Sequence, residues 1–114
     1  MYQPISEISV QAFAQRLQNS EQPLQLIDVR EPQEIASASL PGFICLPLSE
    51  FAEWSEQIDT KLDTQTETIV LCHHGIRSAQ MCHWLQTKGF ENVKNIKGGI
   101  DAYALVVDKS IPRY

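Results

Sequence analysis

Every apolar run in this chain short enough to be a strand is followed by a stretch patterned as a helix, and no two such runs meet across a tight turn. Parallel neighbours in a sheet need a crossover of about a dozen residues, usually a helix, whereas antiparallel neighbours are joined by hairpins. The alternation therefore predicts an α/β chain, with a central parallel sheet flanked by helices on both faces. Leu24 to Val29, an apolar run interrupted by Gln25 and Asp28, reads as a buried strand. Phe43 to Leu46 reads as a short second one, Thr68 to Leu71 as a β-branched central strand, and Val93 to Ile96 as the last.

The helices follow from spacing and punctuation. Val10, Phe13, Ala14 and Leu17 repeat at helical intervals after Ser9, an N-cap residue, so Ser9 to Asn19 is an amphipathic helix. Pro32 suits the first turn of a short helix through about Ala38, and Pro41-Gly42 makes a turn. Ser49 is expected to cap a helix whose Phe51, Trp54 and Ile58 face the core, with a polar connection over 59–66 behind it. A helix from Arg77 or Ser78 to Lys88 ends at Gly89 in a left-handed cap. Gly98-Gly99 breaks the last strand before a helix from Ile100 to about Val106, and the tail from Asp108 to Tyr114 is expected to be irregular but docked.

At 114 residues the chain suits one domain with one core, 1–114. A hydrophobic share of 43% against 20% charged residues is that of a folded chain and argues against disorder. The net charge of −5 disfavours nucleic-acid backbones and anionic membranes as partners. No apolar run approaches the roughly 18 residues that span a bilayer. The N-terminus lacks the basic start and apolar stretch of a signal peptide, so a soluble cytoplasmic protein is expected. Cys45, Cys72 and Cys82 form an odd set without Cys-x-x-Cys, which excludes a disulfide scaffold and a zinc knuckle and leaves at least one free thiol.

Ligands of parallel sheets bind at the carboxyl ends of the strands, and Cys72 stands at one such end, with Asp28 to Arg30 at another. A cysteine attacks only as thiolate, and a free pKa of about 8.5 leaves little of it at neutral pH. The helix after Cys72 directs its positive dipole end and unpaired N–H groups at the loop, and Arg77 adds a fixed charge. Gly75 can take a positive φ and turn amides inward as a nest for a sulfur or an oxyanion, and Ser78 can cap the helix and donate its hydroxyl. Cys72 therefore reads as a nucleophile, with Cys82 on the apolar helix face as core. Cys45 is an inert small residue or, alternatively, a second thiol that resolves Cys72 as a disulfide.

The run Cys72-His73-His74-Gly75-Ile76-Arg77-Ser78 resembles the active-site loop of rhodanese-like sulfurtransferase domains. Leu26-Ile27-Asp28-Val29-Arg30-Glu31 with Leu40-Pro41-Gly42 resembles the family's first signature. Gly89-Phe90, Val93 and Ile96-Lys97-Gly98-Gly99-Ile100 resemble its closing one. The likeness spans about Ile8 to Val107. It implies a single rhodanese-like domain in which Cys72 takes a sulfane sulfur from thiosulfate or another persulfide donor and passes it to cyanide, a small thiol or a protein thiol. His73 through Ser78 would then hold the substrate, and no cofactor or metal is called for. Many members of the family carry Arg or Lys where this chain has His73, so the charge for a dianionic donor rests on Arg77 and on imidazole protonation near pH 6.5.

Two rivals are a non-catalytic binding module of the same fold and a cysteine phosphatase. Phosphatases place five residues between Cys and Arg to grip phosphate; here four separate Cys72 from Arg77. His73 and His74 are adjacent and read as pocket lining rather than metal ligands, and His83 as solvent-facing. Asp28 and Arg30 are expected to support the loop from behind, and Lys97 with Gly98-Gly99 to complete the pocket wall.

Overall fold

The computed structural model describes residues 4–19 and 21–114. Its strands are β1 (Ser6–Ile8), β2 (Leu24–Asp28), β3 (Ile44–Cys45), β4 (Glu67–Leu71) and β5 (Val93–Ile96). Its helices are α1 (Val10–Leu17), α2 (Pro32–Ser37), α3 (Phe51–Trp54), α4 (Ile58–Lys61), α5 (Ile76–Thr87) and α6 (Gly99–Val106). The five strands form one sheet in the order β1-β5-β4-β2-β3, and every pairing is parallel. This is the parallel α/β arrangement expected from the alternation of elements, and it agrees with the fold that the resemblance implies.

Register explains the two cores. Leu26 pairs with Ile69 and Ile27 with Val70, so the period of two sends alternate residues to opposite faces. Ile27, Val70 and Cys72 pack with Met81, Cys82 and Leu85 of α5 and with Trp54 and Ile58. Leu26, Ile69 and Leu71 pack with Phe13 of α1 and Ile100 of α6. Cys82 is fully buried, and burial pushes its thiol up to about 12, which makes it the inert core residue expected. Among the described residues, no helix is long and apolar enough to cross a membrane.

Several elements differ from expectation. β1 had no sequence signal; it is three residues long and exists because it pairs with β5 on the sheet edge. Ser49 caps no helix: it lies inside a 3₁₀ turn, Leu48–Glu50, and its hydroxyl donates to Glu31 at 2.5 Å. The single helix expected there is broken into α3 and α4 by a second 3₁₀ turn, Ser55–Gln57. Trp54 and Ile58 are buried as expected, while Phe51 is partly exposed and meets Trp54 and Trp84 edge-on at 5.1 and 5.0 Å. The second strand shrinks to Ile44–Cys45, with both side chains exposed at the sheet edge. α5 begins one residue before the predicted start and has Gly75, not Ser78, at its N-cap. The tail is docked: Ile111 packs against the α1/α6 core and Arg113 bonds Asp101 at 2.9 Å.

The start of α6 holds the segment after β4 through the backbone. The amides of Ile100 and Asp101 donate to the carbonyls of Cys72 and His73 at 3.0 and 3.1 Å. Gly99 permits this approach, with φ +63 and with space for a Cβ closed by the Cys72 carbonyl oxygen at 2.5 Å and by that of His73. Replacing Gly99 by Ala is expected to cost about 2 kcal/mol or more, from the left-handed backbone and the collision. Chemical denaturation measures it, and a stability equal to the wild type would show that the two segments part without strain.

Candidate active site

Cys72 follows β4 directly, and its sulfur points back under the start of α5. The Gly75 amide donates to Sγ at 3.0 Å, and the Ser78 hydroxyl lies 3.2 Å from it. Gly75 makes this turn possible with φ +102; a Cβ there would press on the Gly98 amide nitrogen at 3.2 Å. Twelve residues of aligned peptides in α5 then present their positive end to the sulfur. Cys72 is 1% exposed, so its sulfur is reached through a cavity of about 260 Å³ lined by Cys72, His73, His74, Ile76 and Arg77. Lys97, expected in the wall, is exposed and outside this lining, while Gly98-Gly99 act from beneath the loop.

Asn95 carries no signature in the sequence, yet it organises this loop. Its Nδ2 donates to the Gly75 carbonyl at 2.9 Å, which leaves Oδ1 facing the Ser78 hydroxyl as an acceptor. Ser78 has one proton to give. It serves Asn95 when Cys72 is a thiol, whose S–H can then point at Ser78 Oγ, and it turns to the sulfur when charge develops there. The available signal was position: Asn95 lies two residues from Val93 on the core-facing side of β5, where a polar residue is unusual.

Arg77 is not a free charge. Its guanidinium grips Glu34 of α2 through Nη1–Oε1 at 2.6 Å and Nη2–Oε2 at 2.8 Å. Chiefly through these bonds the Glu34 carboxyl is held down to about 2, and the Arg77 pKa is raised. Behind them, Arg30 is fully buried and bound to Asp28 by Nε and Nη2 at 2.8 to 3.2 Å. Its Nη1 donates to the Glu34 carbonyl at 3.3 Å and to the Tyr114 hydroxyl at 3.0 Å. Tyr114 in turn donates to Glu34 Oε2 at 2.8 Å and stacks on His73, centroids 3.9 Å apart and planes 8° apart. Asp28 and Arg30 thus reach the loop by way of Glu34 and Tyr114, two residues the sequence did not single out.

His73 stacks on His74 as well, at 3.9 Å and 29°. Burial, then the neighbouring His74, lowers the His73 pKa, and its Nε2 is buried without a hydrogen-bond partner among the described residues. Ligand atoms of His73, His74 and Asp101 gather within 4.8 Å of one another. Stacked rings aim their lone pairs side by side rather than at a common point, and both Asp101 oxygens already accept from Arg113 at 2.9 and 3.4 Å. The grouping therefore fits lining better than ligation. Cys45 lies on the edge strand with Sγ 4.0 Å from the Arg30 carbonyl, and its thiol is pushed up by burial and by Asp28. His83 is half-buried on α5.

Two outcomes follow from these contacts. Ser78→Ala removes a donor to a charged sulfur, a bond worth about 1.5 kcal/mol or more, so alkylation of Cys72 at neutral pH should slow roughly tenfold. Peptide mapping isolates this site from Cys45, and an unchanged rate would remove Ser78 from the thiolate's support. The depressed Glu34 carboxyl contributes stability that is full above its ordinary value of 4.5 and is lost as pH falls through about 2. The stability gap between wild type and Glu34→Gln should shrink over that window in acid titrations of unfolding; a gap constant with pH would count against the pair.

A family profile described as "Rhodanese-like domain" matches residues 9–105. A chloroplastic protein of Arabidopsis thaliana, rhodanese-like/PpiC domain-containing protein 12, is 48% identical over 114 residues, which cover 98% of this chain and 38% of that protein. The putative sulfurtransferase YtwF of Bacillus subtilis (strain 168) is 34% identical over 99 residues, 87% of this chain and 90% of that one. The chain therefore spans well under half of the plant relative and nearly all of the bacterial one. The crystal structure of a rhodanese-like domain protein from Staphylococcus aureus superposes with a TM-score of 0.76 over 96% of this chain and 99% of that one, at 21% identity, which bears on fold alone. With a profile match over most of its length, the chain belongs to the rhodanese-like domain family.

Proposed function

We propose that this protein is a sulfurtransferase that carries sulfane sulfur as a persulfide on Cys72. The observation that supports it most is the set of groups around the sulfur. One loop amide and one hydroxyl converge on Sγ at 3.0 and 3.2 Å, at the positive end of a helix and inside a cavity with room for further atoms. Such donors favour an anion on Cys72 and, one bond further out, on a second sulfur. The bacterial relative named as a putative sulfurtransferase supports the same reading.

The Cys72 thiolate attacks the outer sulfur of the donor. The new S–S bond forms as the donor's own S–S bond breaks, and the bonding pair leaves on sulfite if the donor is thiosulfate or on a thiolate if it is an organic persulfide. A thiolate or cyanide then attacks the outer sulfur of the Cys72 persulfide and leaves with it, as a new persulfide or as thiocyanate, and the Cys72 thiolate returns. Electrons move only between sulfur atoms and the acceptor, so no cofactor is required. Gly75, Ser78 and the α5 dipole hold charge at the sulfur; His73, His74, Ile76 and Arg77 shape the space the outer sulfur occupies.

Incubation with thiosulfate, and separately with a small persulfide, tests the reading by intact and peptide mass spectrometry. One added sulfur on the Cys72 peptide, absent in Cys72→Ser and discharged by cyanide, is the expected result. No gain from either donor, together with turnover of an aryl phosphate, would assign the loop to phosphate chemistry. Silence in both assays would leave a binding module.

A further inference from the structure

We propose that Glu34 sets the donor class: by neutralising Arg77 it turns the Cys72 pocket from thiosulfate toward organic persulfides, R–S–SH. This rests on the sulfur-transfer reading above. Each fixed cation placed there by contact is matched by a carboxylate: Arg77 by Glu34 at 2.6 Å, Arg30 by Asp28 at 2.8 Å and Arg113 by Asp101 at 2.9 Å. His74 faces Asp101 at 3.9 Å, and burial favours the neutral form of His73. The side chains around the cavity therefore sum to no net positive charge.

A dianion approaching a thiolate meets repulsion on both of its charges, which falls off slowly in a cavity poor in water and is relieved only by uncompensated cations. Among the described residues, Arg77 is the one fixed cation lining the cavity, and both of its terminal nitrogens bond Glu34. Tyr114 donates to the same carboxylate and keeps it in place from the far side. An organic persulfide makes no such demand. The thiolate attacks its outer sulfur, the S–S bond breaks, and the pair leaves on the departing thiolate R–S⁻. The proton of R–S–SH stays on the sulfur now bound to Cys72 until it is lost to water.

The mouth of the cavity also offers surface for carbon. Ile76, the first residue of α5, is 72% exposed beside Arg77 and lines the cavity. The rings of His73, His74 and Tyr114 form a continuous stack, and the two imidazoles line the cavity with Ile76. Apolar and aromatic surface at the rim suits the R group of an organic donor, whereas sulfite, as a leaving group, has nothing to gain from it.

The test measures sulfur loading of Cys72 from thiosulfate and from cysteine persulfide, in wild type and in Glu34→Gln. Glutamine keeps a hydrogen-bond acceptor for Arg77 and removes the charge. In the wild type, kcat/KM should favour cysteine persulfide. In Glu34→Gln the thiosulfate-to-persulfide ratio of kcat/KM should rise about tenfold, mainly through a lower KM for thiosulfate, and added salt should suppress that gain. A wild type that prefers thiosulfate would overturn the inference without relying on the variant, as would a folded Glu34→Gln with an unchanged ratio. If neither donor loads Cys72 in the wild type, the sulfur-transfer reading itself fails, an outcome distinct from a wrong donor preference.

Discussion

The buried pairing of Arg30 with Asp28 is the contact on which the site's surroundings depend. A guanidinium with no solvent exposure must find partners for its donors, because an unpaired buried charge costs several kcal/mol or more. Asp28 takes Nε and Nη2, and Nη1 is left to reach the Glu34 carbonyl and the Tyr114 hydroxyl. One side chain thereby joins the end of β2, helix α2 and the tail. Such a pair is weak evidence for stability, since an apolar replacement of equal volume can be as stable. What it supplies is direction: α2 is held where the Glu34 carboxylate meets Arg77, and Tyr114 where its ring meets His73.

A consequence is that the Cys72 sulfur is served by dipoles rather than by net charge. The sulfur faces an amide, a hydroxyl and the end of a helix, while the formal charges nearby cancel in pairs. Oriented dipoles fixed by the fold need no reorganisation when charge appears, and they act on whatever carries it, thiolate or persulfide. They do little for an anion arriving from outside, which responds to the uncancelled charge of the entrance. On the sulfur-transfer proposal, retention of sulfur and admission of its donor would be set by different parts of the structure.

Much of the fold was legible because it is local. Short apolar and β-branched runs mark β2 and β4, and helical spacing marks α1, whose cap Ser9 does accept from the Ala12 amide. The contacts around the Cys72 sulfur were legible for the same reason, since Cys72, Gly75 and Ser78 lie close together in the chain. β1 was not, because three residues with one partly buried side chain have no pattern of their own and become a strand only by pairing with β5. The region from Leu48 to Lys61 was misread because Pro47 and the Glu31–Ser49 contact fix its first turn as 3₁₀, a tertiary effect that overrides helix propensity.

The residues that stayed hidden share a property: each acts on the loop from another element. Asn95 comes from β5, Glu34 from α2, and Tyr114 from the tail, 43 positions from Arg77 in one case and 80 from its own acceptor in another. A motif reports what a short stretch can do alone, and in that stretch Arg77 looks like a cation offered to the substrate. Its meaning is decided by whether α2 places a carboxylate opposite. Two chains with the same loop could therefore share a nucleophile and differ in donor. The difference would lie in a side chain some forty positions away that no reading of the loop contains.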